Sequence, residues 1–301
     1  MNKTSAEVIM ATIPRDRHQV ATDLVVLMKP RVLLMVLAAT LVGYFVALIG
    51  PADYGRLVHL LIGTLMVAGG TLALNQFLER DLDARMERTK RRPLPDGRLQ
   101  PLEALVFAGG LTSLGAVWIA VGVGVAAAVL TLTTTLLYLC AYTPLKTRSA
   151  LCMLLGAIPG ALPPVTGWVA ARGDLGLGAL VLFAILFLWQ LPHTLAIARL
   201  YAHDYAGAGV RVLPVVDAQG TMTERQIVSS TLALLAVSLL PTVIGISGIA
   251  YFVTACALGL GLLAAGVAHA TVRSTGSARR VLVASLLYLP LLLAVLALDR
   301  P

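Results

Sequence analysis

Residues 57–97 read LVHLLIGTLMVAGGTLALNQFLERDLDARMERTKRRPLPDG, a long apolar run followed by a dense run of charge. A membrane-spanning helix needs about 20 mostly apolar residues, and 57–78 supplies such a stretch. The whole chain has the same bias, with 58% hydrophobic residues, 13% charged residues and a mean hydropathy of +0.87. Because a soluble domain carries about 25% charged residues, the composition excludes a soluble fold and indicates lipid as the solvent.

Apolar runs of this length recur along the chain and predict an all-α fold, a polytopic membrane protein built as a bundle of about nine transmembrane helices. We expect a single transmembrane domain over residues 29–301, preceded by a cytoplasmic tail over residues 1–28. The predicted spans are 32–50, 57–78, 103–121, 124–142, 151–171, 177–197, 228–246, 250–269 and 281–298.

The basic residues predict the orientation. Of the 23 Lys and Arg residues, only Arg56, Arg172 and Arg300 lie on one predicted side of the membrane, and 20 lie on the other. Cytoplasmic loops are enriched in Lys and Arg, so we expect a cell-membrane protein with a cytoplasmic N-terminus and a C-terminus on the opposite side. The net charge of +8 therefore indicates contact with anionic lipid and no nucleic-acid partner.

The charged segment after the second span contains three regularly spaced polar residues. Asn75, Glu79 and Asp83 follow each other at intervals of four, so they fall within about 80° on one helical face. Two carboxylates and an amide oxygen suit Mg²⁺, which prefers a few carboxylates together with phosphate oxygens. The arginines that follow, including Arg88 and Arg92, suit a diphosphate, so we predict catalytic and metal-binding roles for the three residues. Alone, the segment is also compatible with an ordinary charged loop.

Two further segments follow even-numbered spans. In YTPLKTRS, residues 142–149, the side chains of Tyr142, Lys146 and Arg148 are candidates for binding the diphosphate, and a basic membrane anchor is the alternative. In residues 188–215, we expect Gln190, His193 and Asp204 to share one face of a continuous helix, unless Pro192 interrupts it. An ionisable residue inside an apolar span indicates function, and the alternative for His193 is a hydrogen bond between packed helices. Asp204 is a candidate for a further metal ligand or for organising the phosphate site.

These segments together resemble the UbiA superfamily of intramembrane prenyltransferases, and within it the branch that acts on haem. Glu79 stands where many members have Asp, and Asp204 alone fills the region of their second acidic motif. The stretches that carry the resemblance are NQFLERDLDARMERTKRRPL (75–94), YTPLK (142–146), PPVTGW (163–168), WQLPH (189–193) and DYAGAGVRVLP (204–214).

The resemblance implies transfer of a farnesyl group from farnesyl diphosphate to a vinyl group of haem b, with Mg²⁺ as cofactor and haem O for terminal oxidases as product. The resemblance also suggests a downstream haem A synthase as a partner. The residues expected to face haem are His193, Gln190, Trp189 and Trp168, and those expected at the diphosphate are Arg88, Arg92, Tyr142, Lys146 and Arg148.

Two other functions compete with this one. A UbiA-type enzyme that prenylates an aromatic quinone precursor would share the metal site and differ in the acceptor. A secondary transporter would also contain discontinuous helices and intramembrane polar residues. A transporter should place its polar groups near the midplane, whereas those of this chain cluster at one end of the predicted spans.

Overall fold

The computed structural model describes residues 17–217 and 219–300, and every regular element in these ranges is helical. The elements are α1 (Arg17–Leu27), α2 (Pro30–Ala47), α3 (Tyr54–Asp83), α4 (Pro101–Gly122), α5 (Val125–Leu136), a π-helix (Leu137–Tyr142), α6 (Thr143–Leu145), α7 (Cys152–Arg172), α8 (Leu177–Leu200), α9 (Ala202–Gly207), α10 (Leu213–Val216), α11 (Thr221–Ser238), α12 (Leu240–Val243), α13 (Ile249–Val272) and α14 (Thr275–Leu298).

The prediction of about nine transmembrane helices is confirmed. Within the described ranges, nine helices are long and apolar enough to cross a membrane, with α5 to α6 and α11 to α12 each counted as one span. Helix α3 is longer than its predicted span, because no proline follows Tyr54 until Pro93 and the helix continues to Asp83. The polar residues after the apolar run therefore extend the same helix.

The prolines inside α7 do not break this helix. Helix α7 runs continuously although it contains Pro159, Pro163 and Pro164. In a packed bundle, neighbouring helices and local adjustments satisfy the backbone groups that a proline frees. Helix α2 approaches α7 closely, because Gly43 and Gly167 leave no room for a Cβ atom against the facing backbone.

The connections after the even-numbered spans lie at one end of the bundle, which we call the basic end because most of the Lys and Arg residues are there. Helix α1, part of the predicted tail, packs onto this end. The Gln76 side chain donates a hydrogen bond to the Leu27 carbonyl (2.8 Å), and Arg98 forms an ion pair with the buried Asp23. Predictions for residues 1–16 lie outside the described residues.

Candidate functional site

The three polar residues of α3 lie on one helical face, as predicted, and all three are buried. Asn75 and Asp83 are each 1% exposed and Glu79 is 6% exposed. Ionised carboxylates are rarely buried without a partner, because taking a charge out of water costs several kcal/mol. The surroundings of these side chains must therefore supply positive charge.

Each of the three side chains is bound by one cation from a different part of the chain. Lys29 donates a hydrogen bond to Asn75 Oδ1 (3.1 Å). Lys146 Nζ lies 2.5 Å from Glu79 Oε2, and Arg92 Nη1 lies 2.7 Å from Asp83 Oδ2. The acidic face of α3 is thus matched by three cations.

Lys29 is a site residue that the sequence patterns did not single out. It precedes Pro30 at the start of α2 and has a φ of 50°, a left-handed conformation that is uncommon outside glycine. Burial lowers its pKa to about 8, and the nearby Arg92 charge acts in the same direction. The conformation at the helix start directs the side chain towards Asn75.

A π-helix shapes the site opposite α3. Residues Leu137–Tyr142 form it, and the Thr143 hydroxyl donates to the carbonyl of Tyr138 (2.9 Å). The same hydroxyl accepts a hydrogen bond from Asn75 Nδ2 (3.2 Å). The rings of Tyr138 and Tyr142 stack with centroids 5.2 Å apart. Short π-helical segments are often found at functional sites, and here one places Thr143 against Asn75.

An apolar cavity lies along the same face of α3, one turn deeper in the bundle than Asn75. Its volume is about 200 Å³, and α2, α3, α5, α7 and α8 all contribute to its lining. Thr64, Ala68 and Thr71 line it from α3, and Thr71 lies four residues before Asn75 on the same helical face. One face of α3 therefore carries charge at the basic end and borders a largely apolar space deeper in the bundle.

The donor set fits a hard divalent cation. Glu79 Oε1 is buried without a hydrogen-bond partner, and carboxylate and amide oxygens are ligands that Mg²⁺ accepts. Among residues 17–217 and 219–300, no three His, Cys, Asp or Glu side chains are grouped as a metal site. The available set is therefore Asn75, Glu79 and Asp83, and the predicted grouping of Asp204 with the two α3 carboxylates is not formed.

Asp204 does not continue a face of α8, because α8 ends before it. Helix α8 passes through Pro192 without a break but ends at Leu200, and Asp204 lies on the separate short helix α9. Its Oδ2 accepts a hydrogen bond from the backbone N–H of Arg88 (3.4 Å). The expectation that Asp204 continues a face of α8 is therefore wrong.

Arg88 joins the connection after α3 to α9. Its guanidinium donates to the Tyr205 hydroxyl (2.7 Å) and lies over the rings of Tyr205 and Tyr201, at 4.7 Å and 5.4 Å from their centroids. Cation–π contacts and charge-assisted hydrogen bonds of this kind hold two segments together. Arg88, predicted at the diphosphate, is held at the surface of the basic end by this contact.

The chain shows clear similarity to known proteins. The profile of the UbiA prenyltransferase family matches residues 36–297. A protoheme IX farnesyltransferase of Solibacter usitatus is 46% identical over 288 residues, covering 93% of this chain and 99% of the relative. One from Koribacter versatilis is 42% identical, covering 91% of this chain and 92% of the relative.

The chain belongs to the UbiA prenyltransferase family. It is therefore a multi-pass membrane transferase, and this result favours the prenyltransferase over the transporter. Solved structures share its fold. A digeranylgeranylglyceryl phosphate synthase superposes with a TM-score of 0.78 at 16% identity, covering 93% of this chain and 98% of that chain. A UbiA homologue from Archaeoglobus fulgidus bound to GPP and Mg²⁺ gives a TM-score of 0.65 at 14% identity, covering 91% and 99%.

Two other basic-end residues of this prenyltransferase differ in their environment. Tyr142 is half-buried at the end of the π-helix, beside α7. The side chain of Arg148 is exposed and, in the part of the chain that the structure describes, forms no ion pair. Lys146, two residues earlier, is only 8% exposed and holds Glu79. One short segment thus contains one buried and one exposed cation.

The residues expected to face haem point in different directions. Gln190 lines the apolar cavity and donates to the Ala157 carbonyl (3.1 Å). His193 Nδ1 lies 2.9 Å from the Ser285 hydroxyl on α14, and Trp189 Nε1 donates to the Ser285 carbonyl (2.7 Å). Gln190 and His193 lie three residues apart on the continuous helix α8, but Gln190 contacts α7 and His193 contacts α14, because α8 packs between these two helices.

Trp168 lies far from the acidic face. It is 2% exposed, near the end of α7 opposite the basic end, where its ring packs against Gly178. The Arg172 guanidinium lies 5.3 Å from the centroid of the ring. Trp168 therefore packs in the core, and the structure does not bring it to the predicted site.

Proposed function

We propose that the chain transfers the farnesyl group of farnesyl diphosphate to a vinyl group of haem b and so forms haem O. The observation that carries this proposal is the single face of α3, which joins a buried set of oxygen ligands and cations to an apolar cavity. The acceptor is inferred from the relatives called protoheme IX farnesyltransferase. The same names favour haem over an aromatic quinone precursor.

Three residues of α3 would hold Mg²⁺ at the basic end of the cavity, namely Asn75, Glu79 and Asp83. The metal, when bound, would neutralise charge on the diphosphate oxygens. Lys29, Lys146 and Arg92 lie beside these ligands and can transfer their hydrogen bonds to phosphate oxygens. Charge-assisted bonds strengthen in a site that excludes water, so they stabilise the departing diphosphate.

The apolar cavity would hold the farnesyl chain. Ionisation breaks the bond between C1 and the diphosphate oxygen and leaves an allylic cation. The vinyl group of haem forms the new carbon–carbon bond, and water then adds to the resulting cation with loss of a proton. A cavity lined by Val67, Thr71 and Val36 excludes water from the first cation. Gln190 is the polar side chain of α8 placed to contact this compartment.

The remaining predicted residues receive supporting roles in this proposal. Asp204 and Arg88 would organise the segments over the diphosphate, because they already join those segments to each other. Tyr142 would line the site, and Arg148 would attract anionic substrates to it. We further propose that the protein lies in the cell membrane with its basic end in the cytoplasm, and that a downstream haem A synthase receives the product.

A direct assay tests the reaction. Membranes containing the protein are incubated with haem b, farnesyl diphosphate and Mg²⁺, with and without a chelator, and the haems are separated by chromatography. We expect haem O only when Mg²⁺ is free. If no Mg²⁺-dependent haem O forms, the proposal is wrong, and a prenylated aromatic acid in a parallel incubation would support the competing acceptor.

A further inference from the structure

A second open space lies at the basic end, between the start of α7 and the start of α11. We call it the α7–α11 groove. Leu151 and Leu154 line it from α7, Leu191 and Leu195 line it from α8, and its volume is about 400 Å³. This is within the range of about 300–1,000 Å³ that is typical of small-molecule sites.

The rim of the groove is polar and positively charged. Arg225, Gln226 and Ser229 line it from α11, and Ser149 lines it from the connection before α7. Arg225 is exposed, and within residues 17–217 and 219–300 its side chain forms no hydrogen bond or ion pair. Arg148 precedes Ser149, and within the same described residues its side chain also forms no hydrogen bond or ion pair. An apolar floor under free guanidinium groups is complementary to a flat apolar ligand that carries carboxylates.

The central cavity has about 200 Å³, half the volume of the groove, and its threonine and valine lining suits one hydrocarbon chain. The α7–α11 groove opens at the same end of the bundle and offers a porphyrin acceptor a second space.

A short series of side-chain contacts connects the groove to the central cavity. Met153 lines the groove and packs in the same cluster as Tyr142. The Tyr142 ring lies against Gly156, and Gly156 lines the central cavity. Methionine is flexible and unbranched, so these contacts can rearrange at low cost.

We propose that the α7–α11 groove is the docking site of the acceptor porphyrin. The macrocycle lies on the leucines of α7 and α8, its carboxylates bind Arg225 and Arg148, and one vinyl edge points towards Met153. The identity of the acceptor rests on the proposed function. The location rests on the shape, charge and position of the groove.

Haem binding to two variants tests the location. Haem is titrated into the purified protein in nanodiscs of neutral phosphatidylcholine, and the Soret absorbance is followed. Arg225→Glu reverses the rim charge, and Ser229→Trp fills the groove from an exposed position. We expect Arg225→Glu to weaken haem binding at least about tenfold, because it replaces a charge-assisted contact with repulsion. We expect Ser229→Trp to weaken it by about as much, because the indole occupies the space of the macrocycle.

Two matched variants serve as controls. Arg279→Glu makes the same charge change at an exposed position of α14, and Ser113→Trp makes the same size change at an exposed position of α4. Both should bind haem as the wild type does. All four variants should also bind a non-hydrolysable farnesyl diphosphate analogue with Mg²⁺ as the wild type does.

The outcomes separate this inference from the proposed reaction. If the wild type forms haem O while Arg225→Glu and Ser229→Trp keep full haem affinity, the groove is not the docking site and the reaction stands. If the wild type forms no haem O, the reaction itself is wrong. If adding phosphatidylglycerol to the nanodiscs abolishes the difference between wild type and Arg225→Glu, the groove is a lipid site and the docking proposal is wrong.

Discussion

Glu79 and Glu224 are both buried glutamates near the basic end, but their surroundings differ. Glu79 has Lys146 at 2.5 Å and lies on the face of α3 that continues into the apolar cavity. Glu224 is 2% exposed, and among the described residues its nearest cation, Arg273, is more distant, with Nε at 3.9 Å. The imidazole Nε2 of His269 lies at 4.0 Å.

The comparison shows that burial of a carboxylate does not by itself identify a reactive site. Around Glu79, buried polar side chains repeat at four-residue intervals, and the same face of α3 lines an apolar cavity one turn further on. Glu224 lies against Gly220, where a Cβ atom would be 2.8 Å from its carboxylate oxygens, and Arg273 also donates to the Gln219 carbonyl (3.1 Å). We infer that the Glu224 carboxylate holds the connection before α11 in place, whereas the Glu79 carboxylate takes part in the transfer reaction.

The largest expected effect comes from changing each glutamate to glutamine. Glu79→Gln removes a charge that acts on the metal and diphosphate, so we expect kcat to fall by about 100-fold or more. Glu224→Gln should keep activity within about threefold, because it touches neither substrate nor cavity. The measurement is haem O formation at saturating substrates, normalised to protein amount. Equal losses in both variants would remove the functional distinction between the two glutamates.

Replacing Lys146, the cation paired with Glu79, tests the same distinction between the two glutamates. Lys146→Met leaves a buried carboxylate unpaired and removes a phosphate partner, so we expect activity to fall by about 10- to 100-fold. The melting temperature should fall too, because an unpaired buried charge is strongly destabilising. Arg148→Met, at a nearby exposed position, is the control and should keep its melting temperature.

A double variant separates the two effects of Lys146→Met. Combining it with Glu79→Gln removes both charges, so we expect the melting temperature to recover while activity stays low. Thermal unfolding in detergent, followed by circular dichroism, is the measurement. A double variant with restored activity would show that the pair is structural and not catalytic.

An intermediate effect on stability is expected near Glu224. Gly220 has a φ of 75°, and a side chain there would meet the Glu224 carboxylate. We expect Gly220→Ala to cost about 1–2 kcal/mol for the left-handed backbone alone and more for the contact. Gly245→Ala has the same backbone strain, with a φ of 76° and open space around it. A melting temperature for Gly220→Ala no lower than that of Gly245→Ala would contradict the packing role.

The smallest effect is expected at His193. His193→Ala removes the contact with Ser285, and a hydrogen bond of this kind contributes about 1 kcal/mol. We therefore expect a small fall in melting temperature with haem O yield and haem affinity unchanged. A clear loss of haem affinity would instead support the sequence-based prediction that His193 faces haem.

The helices and the acidic face were predictable from local patterns. Apolar runs define spans because lipid offers the backbone no hydrogen-bond partner, so each segment must form its own helical bonds. The spacing of Asn75, Glu79 and Asp83 predicts one face because α3 continues without a break. Positions within a single helix follow from its fixed geometry, and no tertiary information is needed.

Tertiary packing alone decided which side chains meet. Lys29 reaches Asn75 from 46 residues away, and Thr143 lies 68 residues beyond Asn75. The directions of Gln190 and His193 depend on how α8 packs between α7 and α14, and the end of α8 at Leu200 removes Asp204 from its face.

The sequence by itself therefore determined the membrane-spanning helices and the polar face of α3, since both arise from helical periodicity and the demands of lipid. Packing between helices produces the central cavity, the α7–α11 groove and the grouping of cations at the site. Their existence depends on crossing positions and side-chain directions that no local pattern contains, and so only the tertiary structure decided them.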